Sequence, residues 1–174
     1  VLGIGSAGYK HLCALKSLHS VEPVAISKRP QRCLDLESQG LATAPDLESA
    51  VSLGASAVII ASRTSDHFRD TRSAVALGLD VLVEKPMAVN AGQHERLANY
   101  AKQSGKVVMI EMTHRFYPPV QEAKALVASG EIGQVFAVRE NIIESLEGAM
   151  LPAWMLDRSK AGGGVALTNG THML

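Results

Sequence analysis

The sequence predicts an α/β fold in which helices wind around a parallel sheet. Short β-branched and apolar runs alternate with helical stretches, a pattern typical of parallel sheets. A glycine-rich turn stands directly before the first helical stretch, as in doubly wound folds. The 174 residues are 47% hydrophobic and 20% charged, which provides enough apolar surface for a core and excludes a disordered chain.

Four apolar runs are the strand candidates, and they cover residues 24–26, 57–61, 81–84 and 107–112. Because the helices between them return the chain to the same edge of the sheet, the strand ends should all point toward one ligand crevice. The motifs that carry chemistry follow these strand ends.

Capping residues mark the helices that separate the strands. Pro30 and Asp46 each suit the start of a helix. Asn90, followed three residues later by Gln93, resembles a capping box. The predicted helix ends fall at glycines, which readily form left-handed C-caps: Gly40, Gly78 and Gly105.

The alternation stops after Met112, where residues 114–119 are aromatic, basic or proline. A helix over 120–129 and a strand over 135–143 are predicted beyond it. We therefore divide the chain into a first domain, residues 1–113, and the beginning of a second, residues 114–174. Since only two residues precede the glycine turn, we expect a fragment of a longer protein with part of its first strand missing.

The glycine turn predicts a dinucleotide site. It follows the pattern GxGxxG and consists of Gly3, Ile4, Gly5, Ser6, Ala7 and Gly8. Residues without a Cβ permit the tight turn and the close approach of a pyrophosphate, and the N-terminus of the next helix supplies partial positive charge. In this context the pattern favours nucleotide binding over a glycine-rich turn without a ligand.

The residues after the strand at 24–26 bear on which dinucleotide binds. An NAD site carries an acid about 20 residues after the turn, on the ribose 2′-hydroxyl. This sequence has Ser27, Lys28 and Arg29 instead. A hydroxyl and two cations suit a 2′-phosphate, so the sequence favours NADP(H), with NAD(H) and a merely solvated basic turn as the alternatives.

Two further motifs carry charges or glycines at predicted strand and loop ends. Glu84, Lys85 and Pro86 end the strand at 81–84, and two charges there are costly unless they face a cleft. Three glycines begin the segment from Gly162 to His172. Together with the glycine turn, these motifs resemble the Gfo/Idh/MocA family, mostly NAD(P)-dependent dehydrogenases and reductases of sugars, polyols and related compounds. The resemblance spans the whole chain.

The resemblance implies a Rossmann-type doubly wound parallel sheet, followed by the start of an α+β domain with an open antiparallel sheet that often forms an oligomer contact. It also implies that Lys85 lies near the nicotinamide and the substrate hydroxyl, before a proline bond that is often cis. The positive charge of oxidised nicotinamide favours the neutral amine, so we hypothesise that Lys85 binds the substrate oxygen and takes part in its proton transfer. A structural ion pair with Glu84 or Glu111 is the alternative.

The last motif departs from the family pattern. Members commonly carry an aspartate four residues before the histidine, whereas this sequence has Thr168 before His172. Threonine cannot act as a base, so we expect His172 to donate or accept the proton and Thr168 to contact the substrate through its hydroxyl. The resemblance further places Ser62 and His67 near the cofactor, with helix capping as the alternative role of His67.

Three functions remain open. The leading one is an oxidoreductase that transfers a hydride between NADP(H) or NAD(H) and a hydroxyl or carbonyl carbon of a sugar, polyol or related compound. The missing aspartate keeps open a non-catalytic, dinucleotide-binding regulatory protein. A redox-neutral glycosidase with tightly held NAD is the third, and the basic turn at 27–29 argues mildly against it.

Charge and composition bear on partners and compartment. Seventeen basic and seventeen acidic residues cancel, so neither nucleic acid nor an anionic membrane is expected as a partner. The apolar runs are far shorter than the ~20 residues that a membrane span needs. No bound metal is expected, because the histidines lack the spacing of metal ligands. Cys13 and Cys33 lack CxxC spacing, which favours the cytoplasm. A small-molecule substrate and a homo-oligomer of the full-length protein are the expected partners.

Overall fold

The computed structural model describes residues 1–141, 143, 152–164, 167 and 169–172. The strands in this part of the chain are β1 (Val24–Ile26), β2 (Ala42–Ala44), β3 (Ala57–Ile60), β4 (Asp80–Glu84) and β5 (Val108–Glu111). The helices are α1 (Ser6–Lys16), α2 (Pro30–Glu37), α3 (Leu47–Ser52), α4 (Thr64–Ala76), α5 (Ala91–Ser104), α6 (Pro118–Ser129) and α7 (Arg158–Ala161). Short 3₁₀ segments cover Thr113–Phe116, Ala153–Leu156 and Gly170–His172.

All five strands run parallel, and Leu2 joins them into one sheet. β1 pairs with β2, while β4 lies between β3 and β5. Leu2 forms parallel bridges to Ile26 on one side and Ile60 on the other. Its N–H donates to the Ile59 carbonyl at 2.8 Å, and the Ile26 N–H donates to the Val1 carbonyl at 2.8 Å. The sheet order is therefore β2, β1, Leu2, β3, β4, β5, which is the doubly wound Rossmann arrangement.

Two apolar clusters cover the two faces of this sheet. Leu12 of α1 and Leu36 of α2 are fully buried in one cluster. The other contains Leu47 of α3, Val75 of α4 and Leu97 of α5. Each fully buried leucine contributes roughly 1.5–3 kcal/mol, so the helices are held on both faces mainly by apolar packing.

The four predicted strands are confirmed, with ends that differ from the prediction by at most one residue. β2 was not predicted, because Ala42, Thr43 and Ala44 form a run too short and too weakly apolar to stand out. Its register with β1, Val24 opposite Ala42, shows that pairing rather than local propensity holds it.

The predicted caps are largely confirmed. The Asp46 side chain accepts from the Ser49 N–H at 2.8 Å, and the Asn90 side chain accepts from the Gln93 N–H at 3.0 Å. α5 ends at Gly105 in the left-handed region, with φ of 66°. The capping box itself is wrong in one detail: the Gln93 side chain accepts from the Val89 N–H at 3.3 Å, one residue before the cap.

The region after Met112 differs from its prediction. The predicted helix is confirmed as α6, which begins two residues early because Pro118 occupies its first turn. The strand predicted over 135–143 is wrong for its described residues, 135–141 and 143, which form no strand. Phe136 is 98% exposed, and no described strand lies beside this segment to complete a hydrogen-bond ladder. The division between residues 113 and 114, and the open antiparallel sheet, stay predictions.

Within the described residues, every helix is too short or too polar to traverse a lipid bilayer.

Candidate functional site

Gly3 and Gly8 are required by the packing of the glycine turn. A Cβ on Gly3 would lie 2.5 Å from the backbone nitrogen of Ser62, and Gly3 has φ of 92°. A Cβ on Gly8 would lie 2.0 Å from the Gly3 carbonyl oxygen. These two glycines thus let the turn and the start of α1 fold tightly against the loop after β3.

Gly5 has a different environment, because no atom from elsewhere in the described fold lies within 4 Å of the place where its Cβ would be. Gly5 is the N-cap of α1 and offers no side chain to the first amides of that helix, whose first turn contains no acidic residue. The amides of the first turn lack intrahelical partners, and the helix dipole makes this end electropositive. The open space and the amides of Ser6, Ala7 and Gly8 fit a pyrophosphate.

The basic turn follows β1 at the same edge of the sheet. The Ser27 N–H donates to the Ala44 carbonyl at 3.1 Å, and its hydroxyl accepts from the Arg29 N–H at 3.2 Å. Ser27 is half-buried, while Lys28 and Arg29 are exposed. The turn therefore presents two cations to solvent beside a fixed hydroxyl.

The sequence did not indicate that Asp46 and Arg32 lie near the basic turn. The hydrogen bonds from Ser49 hold the pKa of Asp46 below its usual range, and the nearby Lys28 lowers it further. The Arg32 guanidinium lies 5.3 Å from the centroid of the Tyr9 ring, between α2 and α1. The available signal was the position of Arg32, one turn after Arg29 in the helix that Pro30 opens.

Glu84 links the end of β4 to α1. The His11 Nε2 lies 2.9 Å from Glu84 Oε1, and both side chains are mostly buried. Burial alone raises the pKa of Glu84, but the hydrogen bond and charge of His11, with Lys85 and His67 nearby, bring it below its usual value. Lys85 is thus close to Glu84, while the principal ion-pair partner of Glu84 is His11, a residue the sequence reasoning did not select.

His67 and Ser62 connect the loops after β3 and β4. The His67 ring is 2% exposed, and its Nδ1 lies 2.8 Å from the Pro86 carbonyl oxygen while its Nε2 lies 3.0 Å from the Ser62 carbonyl oxygen. The Ser62 hydroxyl donates to Asp70 Oδ2 at 2.7 Å. The helix-capping alternative for His67 is wrong, because its ring contacts these two loops and the N-cap position of α4 is Arg63. The Lys85–Pro86 bond is cis, in agreement with the expectation.

His172 lies near Lys85. Burial is the main cause that lowers the pKa of His172, and the charges of Lys85 and His114 lower it further, against smaller opposite effects of Glu111 and Glu84. The imidazoles of His172 and His114 stack with centroids 3.9 Å apart and an 18° angle. His172 Nδ1 is buried without a hydrogen-bond partner among the described atoms. Thr168 lies outside the described residues.

His114 was missed as a site residue, although its position offered a signal. It follows the end of β5 by three residues, at the edge where the other motifs gather. Its ring contacts both His172 and Tyr117, whose centroid lies 4.8 Å away.

A cavity elsewhere contains none of the predicted site residues. It has a volume of about 410 Å³, lies between α4 and α5, and is lined by Phe68, Arg72, Arg96, Leu97 and Tyr100. Ser27, Ser62 and Glu84 among the predicted residues instead lie at or just after the carboxyl ends of β1, β3 and β4.

The comparison with known proteins agrees with this arrangement. Residues 1–112 match the model of the GFO_IDH_MocA family, described as an oxidoreductase family with an NAD-binding Rossmann fold. The chain belongs to this family. The resemblance and the fold class drawn from the sequence motifs are therefore confirmed, and the fold is an NAD(P)-binding Rossmann fold.

Two relatives of known name are sugar dehydrogenases. The chain is 27% identical over 181 residues to D-glucoside 3-dehydrogenase of Escherichia coli K12, a match that covers 100% of this chain and 51% of the relative. It is 28% identical over 151 residues to D-xylose 1-dehydrogenase (NADP(+)) 2 of Haloferax volcanii. This match covers 81% of this chain and 44% of the relative. The chain therefore spans about half the length of these relatives or less.

Solved structures show the same fold. GenD2 from gentamicin A biosynthesis, in complex with NAD, superposes with a TM-score of 0.83 at 24% identity and covers 98% of this chain and 49% of that one. An NAD-binding protein from Listeria innocua superposes with a TM-score of 0.78 at 21% identity. The superposition covers 99% of this chain and 51% of that protein. These proteins and this chain thus share the Rossmann fold, although their sequence identity is low.

Proposed function

We propose that this chain is the cofactor-binding part of an oxidoreductase that transfers a hydride between NADP(H) and a hydroxyl or carbonyl carbon of a sugar, polyol or related small molecule. The observation that carries the proposal is the open space beside Gly5 at the N-terminus of α1, at the sheet edge where Lys85 follows β4. Burial and, after it, the charge of Lys85 lower the pKa of His172, which supports the pairing of these two groups. The names of the sugar-oxidising relatives support the substrate class.

The proposed cofactor contacts follow the sheet edge. The first amides of α1, with space beside Gly5, hold the pyrophosphate. The exposed cations Lys28 and Arg29, with the Ser27 hydroxyl, hold a 2′-phosphate. The residues of the loops after β3 and β4 surround the nicotinamide end: Ser62, His67, Glu84, Lys85 and Pro86.

The proposed chemistry of the substrate rests on two nitrogen groups. A bound NADP(H) accepts or supplies the hydride. Lys85 holds the substrate oxygen by a hydrogen bond, and His172 exchanges its proton. Burial, and after it the neighbouring basic groups Lys85 and His114, favour the neutral form of the His172 imidazole, which is the form that accepts a proton from an alcohol. Thr168 is proposed to contact the substrate through its hydroxyl.

The cofactor preference is tested by fluorescence titration of this chain with NADPH and NADH. We expect NADPH to bind more tightly, and Arg29→Ala to weaken NADPH about tenfold or more while leaving NADH unchanged, because a charge-assisted contact contributes roughly 1.5–3 kcal/mol. Arg139→Ala serves as a control for the loss of one positive charge. Equal affinities for the two cofactors in the wild-type chain would contradict the preference.

The catalytic role of Lys85 is tested in the full-length protein with a panel of sugars and carbonyl compounds. Lys85→Met should lower the rate of hydride transfer roughly 10²–10⁴-fold, since general acid–base groups contribute that much. Lys102→Met, at the last turn of α5, is the matched control. Near wild-type turnover of Lys85→Met would remove Lys85 from the mechanism.

The absorbance of reduced nicotinamide, measured with the same panel of compounds, separates the two other functions. Thr168 in place of the family's aspartate is the observation that keeps them open. Net change in reduced nicotinamide supports the oxidoreductase. Cofactor binding without turnover supports a regulatory protein, and glycoside cleavage without net change supports a redox-neutral glycosidase.

A further inference from the structure

The His67 ring sits between two carbonyl oxygens that belong to different loops. Nδ1 is 2.8 Å from the Pro86 carbonyl, after β4, and Nε2 is 3.0 Å from the Ser62 carbonyl, after β3. The ring is only 2% exposed, so water cannot readily replace either contact. Both distances lie within the range of good N–H···O hydrogen bonds.

This geometry decides which form of the imidazole fits. A neutral imidazole has one N–H donor and one lone pair, whereas a carbonyl oxygen can only accept. A neutral ring would therefore direct a lone pair at one of the two oxygens. Turning the ring over would place carbon atoms at both positions and lose both hydrogen bonds. Only the imidazolium, with a proton on each nitrogen, satisfies both carbonyls.

Two carboxylates lie on the elements that hold this ring. Glu84, at the end of β4, is close enough to His67 for the imidazole to contribute to its lowered pKa, together with His11 and Lys85. Asp70 lies one turn after His67 on α4 and accepts from the same Ser62 whose carbonyl contacts the ring. Arg69 also donates to Asp70, at 3.0 Å. The negative charge of Glu84 therefore offsets part of the cost of a buried cation, while Glu84 also pairs with His11, and Asp70 with Arg69.

We propose that His67 is a positioning residue that carries both ring protons and joins the loop after β3 to the loop after β4. Its bond to the Pro86 carbonyl fixes the backbone next to Lys85. Its bond to the Ser62 carbonyl connects the backbone at Pro86 to Ser62, and Gly3 packs against the Ser62 backbone. The consequence for the nicotinamide end rests on the proposed function, whereas the protonation of His67 does not.

The protonation is tested by NMR on the wild-type chain labelled with ¹⁵N-histidine. At pH 7.5 we expect both ring nitrogens of His67 to show a directly bonded proton. His94 is the internal comparison, because its ring contacts one carbonyl, that of Ala88 at 3.2 Å. A His67 ring nitrogen without a proton would overturn the proposal.

The positioning role is tested with His67→Phe, which keeps an aromatic ring and removes both donors. NADPH should bind about tenfold or more weakly, while adenosine 2′,5′-bisphosphate, which lacks the nicotinamide half, should bind within about twofold of wild type. His94→Phe is the control and should change neither affinity. An equal loss for both ligands, or a loss for neither, would overturn the role.

Two other outcomes are also decisive. If His67→Phe fails to fold, the NMR measurement on the wild-type chain still decides whether the ring holds two protons. If the wild-type chain binds neither ligand, the proposed function fails, while that NMR measurement tests the double protonation of His67 independently.

Discussion

The three glycines of the turn have different surroundings, and their substitution should separate folding from cofactor binding. Gly8→Ala places a Cβ 2.0 Å from the Gly3 carbonyl oxygen, and overpacking of this kind costs about 1–3 kcal/mol of unfolding free energy. Gly5 has φ of −87° and open space, so Gly5→Ala should cost less than about 1 kcal/mol. Urea unfolding measures both values.

Gly5→Ala should nevertheless weaken NADPH about tenfold or more, because its methyl group occupies the space proposed for the pyrophosphate. The measurement is the same fluorescence titration, on the folded variant. A Gly5→Ala chain that binds NADPH like wild type would show that the pyrophosphate lies elsewhere.

The pKa of His172 reports whether Lys85 is a neighbour in solution. Burial, Lys85 and His114 lower it from 6.5, so removing the amine with Lys85→Met should raise it. As pH falls through about 6.5, the unfolded chain takes up this proton before the folded chain does. The folded state therefore loses stability at acidic pH, and Lys85→Met should reduce that loss.

The NMR titration of the His172 Cε1 proton measures this effect. Lys102→Met, whose charge is not among the causes of the shift, serves as the control. An unchanged pKa of His172 in Lys85→Met would mean that the amine and the imidazole do not meet.

At the scale of residues, motifs could select candidate side chains, whereas the contacts between distant residues could not be predicted. Lys85 and His172 were selected from their motifs, and the charge of Lys85, after burial, lowers the pKa of His172. The contacts of His11 with Glu84 and of His114 with His172 were not predicted, because they join residues 73 and 58 positions apart. Such partners depend on how the strands are ordered, and a motif does not contain that information.

At the scale of elements, Asn90 is the clearest local determinant of a helix start. Its side chain accepts from the Gln93 N–H, so Asn90→Ala should destabilise the chain by about 1 kcal/mol, and Asn90→Gly by only a few tenths. Thermal unfolding followed by circular dichroism measures the difference. Equal stability of Asn90→Ala and wild type would show that the start of α5 is held by packing alone.

Elements with strong local signals could be predicted, and those that depend on pairing could not. Asn90 and Gly105 mark the ends of α5 in the sequence itself. β2 has no such signal and exists because β1 pairs with it. The segment at 135–143 has the composition of a strand, but its described residues have no neighbouring strand. Composition alone is therefore a poor guide to a strand that needs a partner.

At the scale of the whole molecule, NADPH binding should stabilise the folded chain. A ligand at about 100 times its Kd adds about 2.7 kcal/mol, which corresponds to an increase in Tm of roughly 5–11 °C for a chain of this size. Differential scanning calorimetry with and without NADPH measures the increase. Gly5→Ala at the same concentration is the control and should show a clearly smaller increase; an equal one would place NADPH away from the glycine turn.

The parallel order of the sheet was predictable as a class, since strands and helices alternate along the chain. The central position of Leu2 was predictable only in part. The glycine turn indicated that a strand precedes it, but the two apolar residues did not reveal that they separate β1 from β3.

Leu2 is the point at which the two halves of the sheet meet, and the glycine turn begins at the next residue. On the proposed function, a dinucleotide bound there would contact the basic turn on the β1 side and the loops after β3 and β4 on the other. Its two ends would then be anchored to different halves of the sheet. We expect such a ligand to oppose the separate unfolding of either half.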